Sequence, residues 1–210
     1  MKLLVTGKGQ PLADLVIGHL QGDQVVCLPE AEQAVDWCDV EAVGKLMEGV
    51  ETVLHLAWYD AANDRDDEGQ LLDVATRSTY VVLDAAVNAG VNRVIMVSNL
   101  ALFQSYPDNY VIDESWQPQP CAEASSLAPY LVELCCREFA RSSAMSITCL
   151  RFGDLDCPDG TSSVDALNAL DHAMHQVLDP AGYRWQIFHV CSSSKFSTQS
   201  AKKAFNLERA

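Results

Sequence analysis

Lys2 to Leu20 reads KLLVTGKGQPLADLVIGHL. Its apolar run from Lys2 to Val5 breaks at Thr6-Gly7-Lys8-Gly9, and helical spacing follows from Ala13 to Leu20. A short continuous apolar run that ends in glycines reads as a buried strand entering a tight loop. In a doubly wound sheet this first turn lies at the carboxyl edge of the strands. Gly7 and Gly9 would let the backbone approach a pyrophosphate, and the following helix N-terminus offers N–H groups and partial positive charge. A Gly-x-Gly also suits a plain tight turn; its place directly after the first strand is what favours a nucleotide loop.

The same alternation continues outward. Gln24–Leu28, Thr52–Ala57, Arg93–Ser98, Ile147–Phe152 and Arg184–Cys191 read as further strands. Helical patterns occupy Val40–Met47, Glu68–Ala89, Leu131–Arg141 and Val164–Leu178, with a short helix over Ser197–Asn206. Ala101–Ser126, which carries three prolines, reads as irregular. The strands are continuous apolar runs rather than alternating ones, the mark of a parallel sheet covered on both faces. The expectation is a single Rossmann-like domain over residues 1–210, an α/β doubly wound parallel sheet. Residues 154–210 would form a reduced substrate-side region.

The formal net charge is −15. Such a surface repels phosphate backbones and anionic lipids, which argues against nucleic-acid and membrane partners. No apolar run approaches the ~18 residues of a membrane-spanning helix, and the first residues lack the long apolar core of a signal peptide, so a cytoplasmic protein is expected. The eight cysteines show no CxxC spacing and read mainly as buried free thiols, with vicinal Cys135–Cys136 the one candidate redox pair. No metal site is expected: His172 and His175 lie three apart on a helix without supporting ligands. His55 and His189 read as satisfied core histidines. The acidic run Asp64–Glu68 reads as a solvated loop, and Trp58-Tyr59 either cover the cofactor cleft or pack against that loop.

Taken in order, these segments resemble the NAD-dependent epimerase/dehydratase family, the extended short-chain dehydrogenase/reductases. LLVTGKG resembles its opening strand and TGxxGxxG loop. Asp36-Trp37 followed by DVEAVGKLMEGV resembles its adenine contact and next helix. ETVLHLA, LLDVATRSTYVVLDAAVNAGVNRVIMVSN, SITCLRFGDL and the C-terminal VDALNALDHAMHQVL and FSTQSAKKAFNL follow the family's order from Lys2 to about Glu208. The resemblance implies cofactor contacts at Gly7, Gly9, Asp36, Trp37, Leu56 and Ala57. The position that would meet the ribose falls on Pro29, and Glu30, one residue on, could serve. No arginine follows Glu30, so NAD is favoured over NADP. The resemblance also implies a homodimer through helices 68–89 and 131–141.

The family's chemistry needs a Ser or Thr to orient the substrate oxygen, a Tyr as acid/base, and a Lys four residues on that lowers the tyrosine pKa. Matched to VSNLALF, the hydroxyl position falls on Asn99, beside Ser98. Counted back from Arg151 and Glu133, the Tyr position is Ser125 and the Lys position Pro129. Tyr130 is the other tyrosine within reach, and its i+4 residue is Leu134. Without an ammonium neighbour a phenol stays near a pKa of about 10. Pro129 is further expected to start the helix at that point. Leu12 replaces the loop's last glycine and is expected to push the first helix outward or into the cofactor's space. Ala75 and Ser78 stand where the family has Asn and Gly. Two readings remain open at this point: a non-catalytic dinucleotide-binding or interaction protein, and a divergent oxidoreductase or epimerase using Asn99, Ser125 or Tyr130.

Overall fold

The computed structural model describes residues 1–7, 10–20, 25–27 (backbone only), 35–56, 68–179 and 182–205. Gly9, Glu30, Ala57, Trp58, Tyr59 and most of the 64–68 acidic run lie outside the described residues.

The chain alternates strand and helix. The strands are β1 (Lys2–Thr6), β2 (Val25–Cys27), β3 (Thr52–His55), β4 (Arg93–Asn99), β5 (Ser146–Phe152) and β6 (Trp185–Val190). The helices are α1 (Pro11–His19), α2 (Val40–Leu46), α3 (Glu68–Asn88), α4 (Ala124–Ser142), α5 (Ser163–His175) and α6 (Gln199–Phe205). A 3₁₀ turn, Leu100–Phe103, continues directly from β4. The six strands form one parallel sheet in the order β2-β1-β3-β4-β5-β6. Chain order reverses between β1 and β3, and open α/β sheets bind ligands at the carboxyl ends of the strands beside such a reversal.

Period-two alternation divides the strands between two apolar layers. Leu4, Val53, Val94, Met96, Ile147 and Cys149 pack with α2, α3 and α4. Leu3, Val5, Leu54, Ile95, Val97, Leu150 and Phe152 pack with α1, α5 and α6. A third cluster, Leu100, Leu102, Phe103 and Ile112, roofs the carboxyl end of β4. Ile112 exchanges backbone hydrogen bonds with Lys195 and Ser197. The stretch expected to be irregular is therefore tied to the chain beyond β6.

Two expectations about helix starts are corrected. α1 begins at Pro11, suited to the first helical position because its missing N–H has no intrahelical partner. Leu12 then turns inward and is fully buried in the cluster that holds Val5, Val16 and Leu54. α4 begins at Ala124 and runs through Pro129 rather than starting there. One backbone hydrogen bond is forgone at Pro129. The buried faces of Ala128, Val132 and Cys136 hold the turn in place.

The cysteine expectation is corrected in part. Cys136 and Cys149 are fully buried, whereas Cys121 and Cys157 are exposed. Burial raises the Cys135 thiol pKa to about 11, away from the thiolate that redox exchange requires.

Candidate functional site

At the carboxyl end of β1, Gly7 adopts φ 84°, a left-handed conformation that favours glycine. Its carbonyl accepts from Gln10 N–H at 2.9 Å, closing the turn into α1. Gln10 caps α1 through backbone geometry alone, and Asp14 places a carboxylate in the first turn. Beside this turn, Thr6 Oγ1 accepts from Leu56 N–H at 3.1 Å and lies 3.0 Å from His55 Nδ1. His55 Nε2 lies 3.1 Å from Thr79 Oγ1 on α3. With both ring nitrogens occupied, His55 is the satisfied core histidine expected of it. Burial lowers its pKa to about 4. Leu56 is also fully buried, with its N–H donated to Thr6.

Asp36 and Trp37 precede α2. Asp36 is exposed and its Oδ1 accepts from Cys38 N–H at 2.9 Å, while Trp37 packs partly on the α2–α4 side of the sheet. Ala75 and Ser78 face the core from α3.

Asn99, Ser125 and Pro129 are the residues that the resemblance aligns with the family's catalytic positions. Asn99 ends β4, and its Oδ1 accepts from Ala101 N–H at 2.7 Å, capping the 3₁₀ turn. Ser98 points to the opposite side of the sheet and is buried, with no hydrogen-bond partner for Oγ among the described residues. Ser125 is exposed in the first turn of α4, and Pro129, one turn on, is buried. Tyr130 packs against the Leu100–Phe103 cluster. A pocket of about 230 Å³ at the ends of β4 and β5 is lined by Asn99, Gly153, Asp154, Gly160 and Lys195. Among the described residues Lys195 is its only cation, and Nζ donates to Tyr106 O at 2.7 Å and to Asp108 Oδ1 at 2.9 Å. Lys195 is thus held by other partners and does not replace the lysine missing at 129.

The polar centre of the molecule lies one helical turn beyond Pro129. Arg151 on β5 meets Glu133 on α4 through two parallel hydrogen bonds, Nε to Oε1 at 2.9 Å and Nη2 to Oε2 at 2.7 Å. Both side chains are buried. The guanidinium lies 4.9 Å from the centroid of the Phe103 ring, and Nη1 donates to His189 Nε2 at 3.3 Å. Burial works against the Arg151 cation, but the hydrogen bonds and charge of Glu133 outweigh it and hold the pKa above the ordinary value. Burial, reinforced by the Arg151 cation, lowers the His189 pKa to about 3.

Arginine cannot accept a hydrogen bond, so His189 Nε2 is the acceptor and the ring proton sits on Nδ1. Nδ1 has no partner among the described residues. The expectation of a satisfied His189 is therefore corrected: only one of its ring nitrogens is paired. In the sequence, Glu133 and Arg151 act only as landmarks for counting. The signal of their pairing is an arginine inside the otherwise apolar strand ITCLRF, since a buried charge requires a partner.

His172 and His175 both line the last turn of α5, where His172 stacks on Phe205 at 6.2 Å and His175 contacts Asp171. Among the described residues no group of His, Cys, Asp and Glu could hold a metal, and no helix is long and apolar enough to cross a membrane.

A parallel sheet in this order, with a glycine turn into α1 beside its reversal point, defines a Rossmann-type protein of the extended short-chain dehydrogenase/reductase class. The chain belongs to the 3-beta hydroxysteroid dehydrogenase/isomerase family, whose model matches residues 13–127, more than half of its length. No curated protein sequence matches it. Among solved structures, the RMD protein of Pseudomonas aeruginosa complexed with NADPH is similar at 13% identity and TM-score 0.79, covering 100% of this chain and 94% of that one. The UDP-glucose 4-epimerase of Thermotoga maritima with UDP-glucose is similar at 16% identity and TM-score 0.74, covering 100% and 84%. A short-chain dehydrogenase/reductase superfamily protein of Agrobacterium tumefaciens with bound NAD shares 26% identity at TM-score 0.60, covering 84% and 54%.

Proposed function

We propose that this chain is a non-catalytic member of its family, with a dinucleotide-binding or interaction role in the cytoplasm. The observation that carries the proposal is Pro129. At the family's lysine position it is buried inside α4 and offers no charge and no N–H. Ser125, one turn earlier, offers a hydroxyl whose ordinary pKa is far above that of a phenol paired with an ammonium, and the Asn99 carboxamide is engaged in capping. A nicotinamide cofactor supplies hydride chemistry when bound, but the proton transfer that accompanies it needs an acid/base, and Ser125 and Pro129 do not supply the family's tyrosine–lysine pair.

The described backbone still suits a dinucleotide. The Gly7 turn and the α1 N-terminus would meet the pyrophosphate, and Leu12 is buried in the core. Asp36 and Trp37 would border the adenine, by the resemblance. NAD is favoured over NADP because no arginine follows Glu30. NAD binding and NADPH binding by the solved relatives support a nucleotide ligand for the fold.

A homodimer through α3 and α4 accompanies this reading. Tyr80 is exposed on α3, and its ring meets Phe139 of α4 edge-on at 5.4 Å, giving an aromatic patch across both helices. A clean monomer by size exclusion with light scattering would refute the dimer.

Calorimetric titration with NAD⁺ tests the dinucleotide reading. Binding in the micromolar range, about −8 kcal/mol, is expected. No heat at millimolar cofactor would remove the dinucleotide and leave only an interaction role.

A further inference from the structure

The α4 side of the sheet carries a second concavity, away from the Gly7 turn. β6 is the last strand of the sheet, and α4 leaves the faces of its Trp185 and Ile187 only partly covered. The loop before α4 brings Trp116 opposite them. Trp116 is braced edge-on by Tyr106 at 5.0 Å and at a tilt by Tyr110 at 5.5 Å. The resulting cleft has a volume of about 430 Å³, within the ~300–1,000 Å³ range of small-molecule sites. Half-buried Trp116, Tyr130 and Trp185 form its walls, Arg151 and Glu133 its buried end, and Arg137 its rim.

The open valences in this cleft are biased towards donors. Arg151 has five N–H bonds. Two go to Glu133 and one to His189, so two have no acceptor among the described residues. Arg137 uses only Nε, towards Glu138, and the indole N–H groups of Trp116 and Trp185 join no hydrogen bond among the described residues. The carboxylates are committed. Both Glu133 oxygens accept from Arg151, while Glu114 Oε1 accepts from His189 N–H and Oε2 from Ser200 Oγ. Flat aromatic walls favour a planar ring, and unclaimed guanidinium and indole donors favour an anionic acceptor on its edge.

We propose that this cleft is a ligand site for a small aromatic carboxylate, separate from the dinucleotide edge and independent of whether a dinucleotide binds. The ring lies between Trp116 and Trp185, and the carboxylate reaches the open N–H groups of Arg151 with Arg137 at the rim. Glu133 acts as a positioning residue: by holding one edge of the guanidinium it leaves the remaining N–H groups for the ligand.

The test uses the full chain with 2-naphthoate as probe, titrated by calorimetry with and without saturating NAD⁺, and 2-naphthamide as the uncharged comparison. The expected result is saturable 1:1 binding of 2-naphthoate, at least about tenfold tighter than the amide, a ratio equal to about 1.4 kcal/mol. Trp116→Ala and Trp185→Ala should each weaken it at least about tenfold with the circular dichroism spectrum retained, and Arg137→Gln severalfold. Trp116 lies in a loop, so its variant carries the test if Trp185→Ala fails to fold. No saturable binding at millimolar 2-naphthoate would overturn the proposal. So would equal affinity for the amide, unchanged affinity in the folded Trp116→Ala protein, or displacement of the probe by NAD⁺.

Discussion

Helix α4 carries two consecutive turns with opposite character. In the first stand Ser125 and Pro129, which the resemblance aligns with the family's tyrosine and lysine, and neither carries a charge. In the next, Glu133 stands where the family places a glutamate, and it grips Arg151 through a bidentate, buried pair. The two sites lie four residues apart on one helix. The difference teaches that the charges that serve the fold and those that serve the chemistry are separable. Glu133 and Arg151 tie α4 to β5 from inside the protein, where an unpaired charge is severely destabilising. Ser125 is exposed and Pro129 is uncharged, so neither position asks the core to hold a charge.

The sharpest way to break this comparison is to remove Glu133. Glu133→Ala leaves Arg151 buried and unpaired and should cost about 3–5 kcal/mol in urea unfolding, whereas a double replacement by Leu at 133 and Met at 151 should recover most of it. A Glu133→Ala protein as stable as the parent would show that the pair does not hold the fold.

The second test uses pH. His55 is neutral in the folded protein, with a pKa of about 4 against about 6.5 when unfolded. Below about pH 6.5 the unfolded chain takes up the proton first, so stability is complete above that pH and falls as pH drops towards 4. The loss attributable to His55 is about 3 kcal/mol, on the order of 1.4 kcal/mol per unit. His189, lowered to about 3, acts in the same direction. Denaturant titrations at several pH values check this; a His55→Asn variant should show a shallower decline, and an unchanged slope would place the effect elsewhere.

A third substitution probes the rim of the pocket that holds Asn99. A Cβ on Gly160 would sit 2.0 Å from the Asp154 carbonyl oxygen, so Gly160→Ala should cost about 1–3 kcal/mol. An unchanged unfolding midpoint would mean that the 153–161 turn relaxes freely.

The smallest effect belongs to the other turn of α4. A helix-interior proline costs about 3 kcal/mol relative to alanine, partly offset by its packing and by the restricted unfolded chain. Pro129→Ala should therefore raise stability by about 1 kcal/mol. A loss would show that the buried ring contributes more than the missing hydrogen bond.

Much of the fold was legible because parallel strands buried on both faces must be continuously apolar. β1, β3, β4 and β5 stand out as such runs, and the Thr6-Gly7 break marks the carboxyl edge. The start of α4 was not legible. Proline is a strong local stop signal, and only the long-range burial of Ala128, Val132 and Cys136 against the sheet carries the helix through it. Leu12 is a related case: the register of α1 turns this side chain into the core, which the local sequence does not state.

The candidate site was legible as a set of substitutions at 99, 125 and 129, since those rest on counting alone. The engagement of Asn99 in a cap, the inward turn of Ser98 and the row formed by Ser98, Arg151 and His189 across three neighbouring strands arise from strand register, which no local pattern states. The cleft walled by Trp116 and Trp185 joins residues far apart in the chain, so local sequence carries no trace of it.

The central claim is that the dinucleotide edge persists without proton-transfer chemistry. It is tested most directly by a single-turnover experiment with protein in excess of NAD⁺, a panel of UDP-sugars, uronates and hydroxysteroids, and the absorbance of reduced nicotinamide followed over time. The account predicts no reduced nicotinamide with any substrate, even where calorimetry shows NAD⁺ bound. Formation of reduced nicotinamide that scales with protein and is lost in Ser125→Ala or Tyr130→Phe would contradict it, and would make this chain an enzyme with a different acid/base.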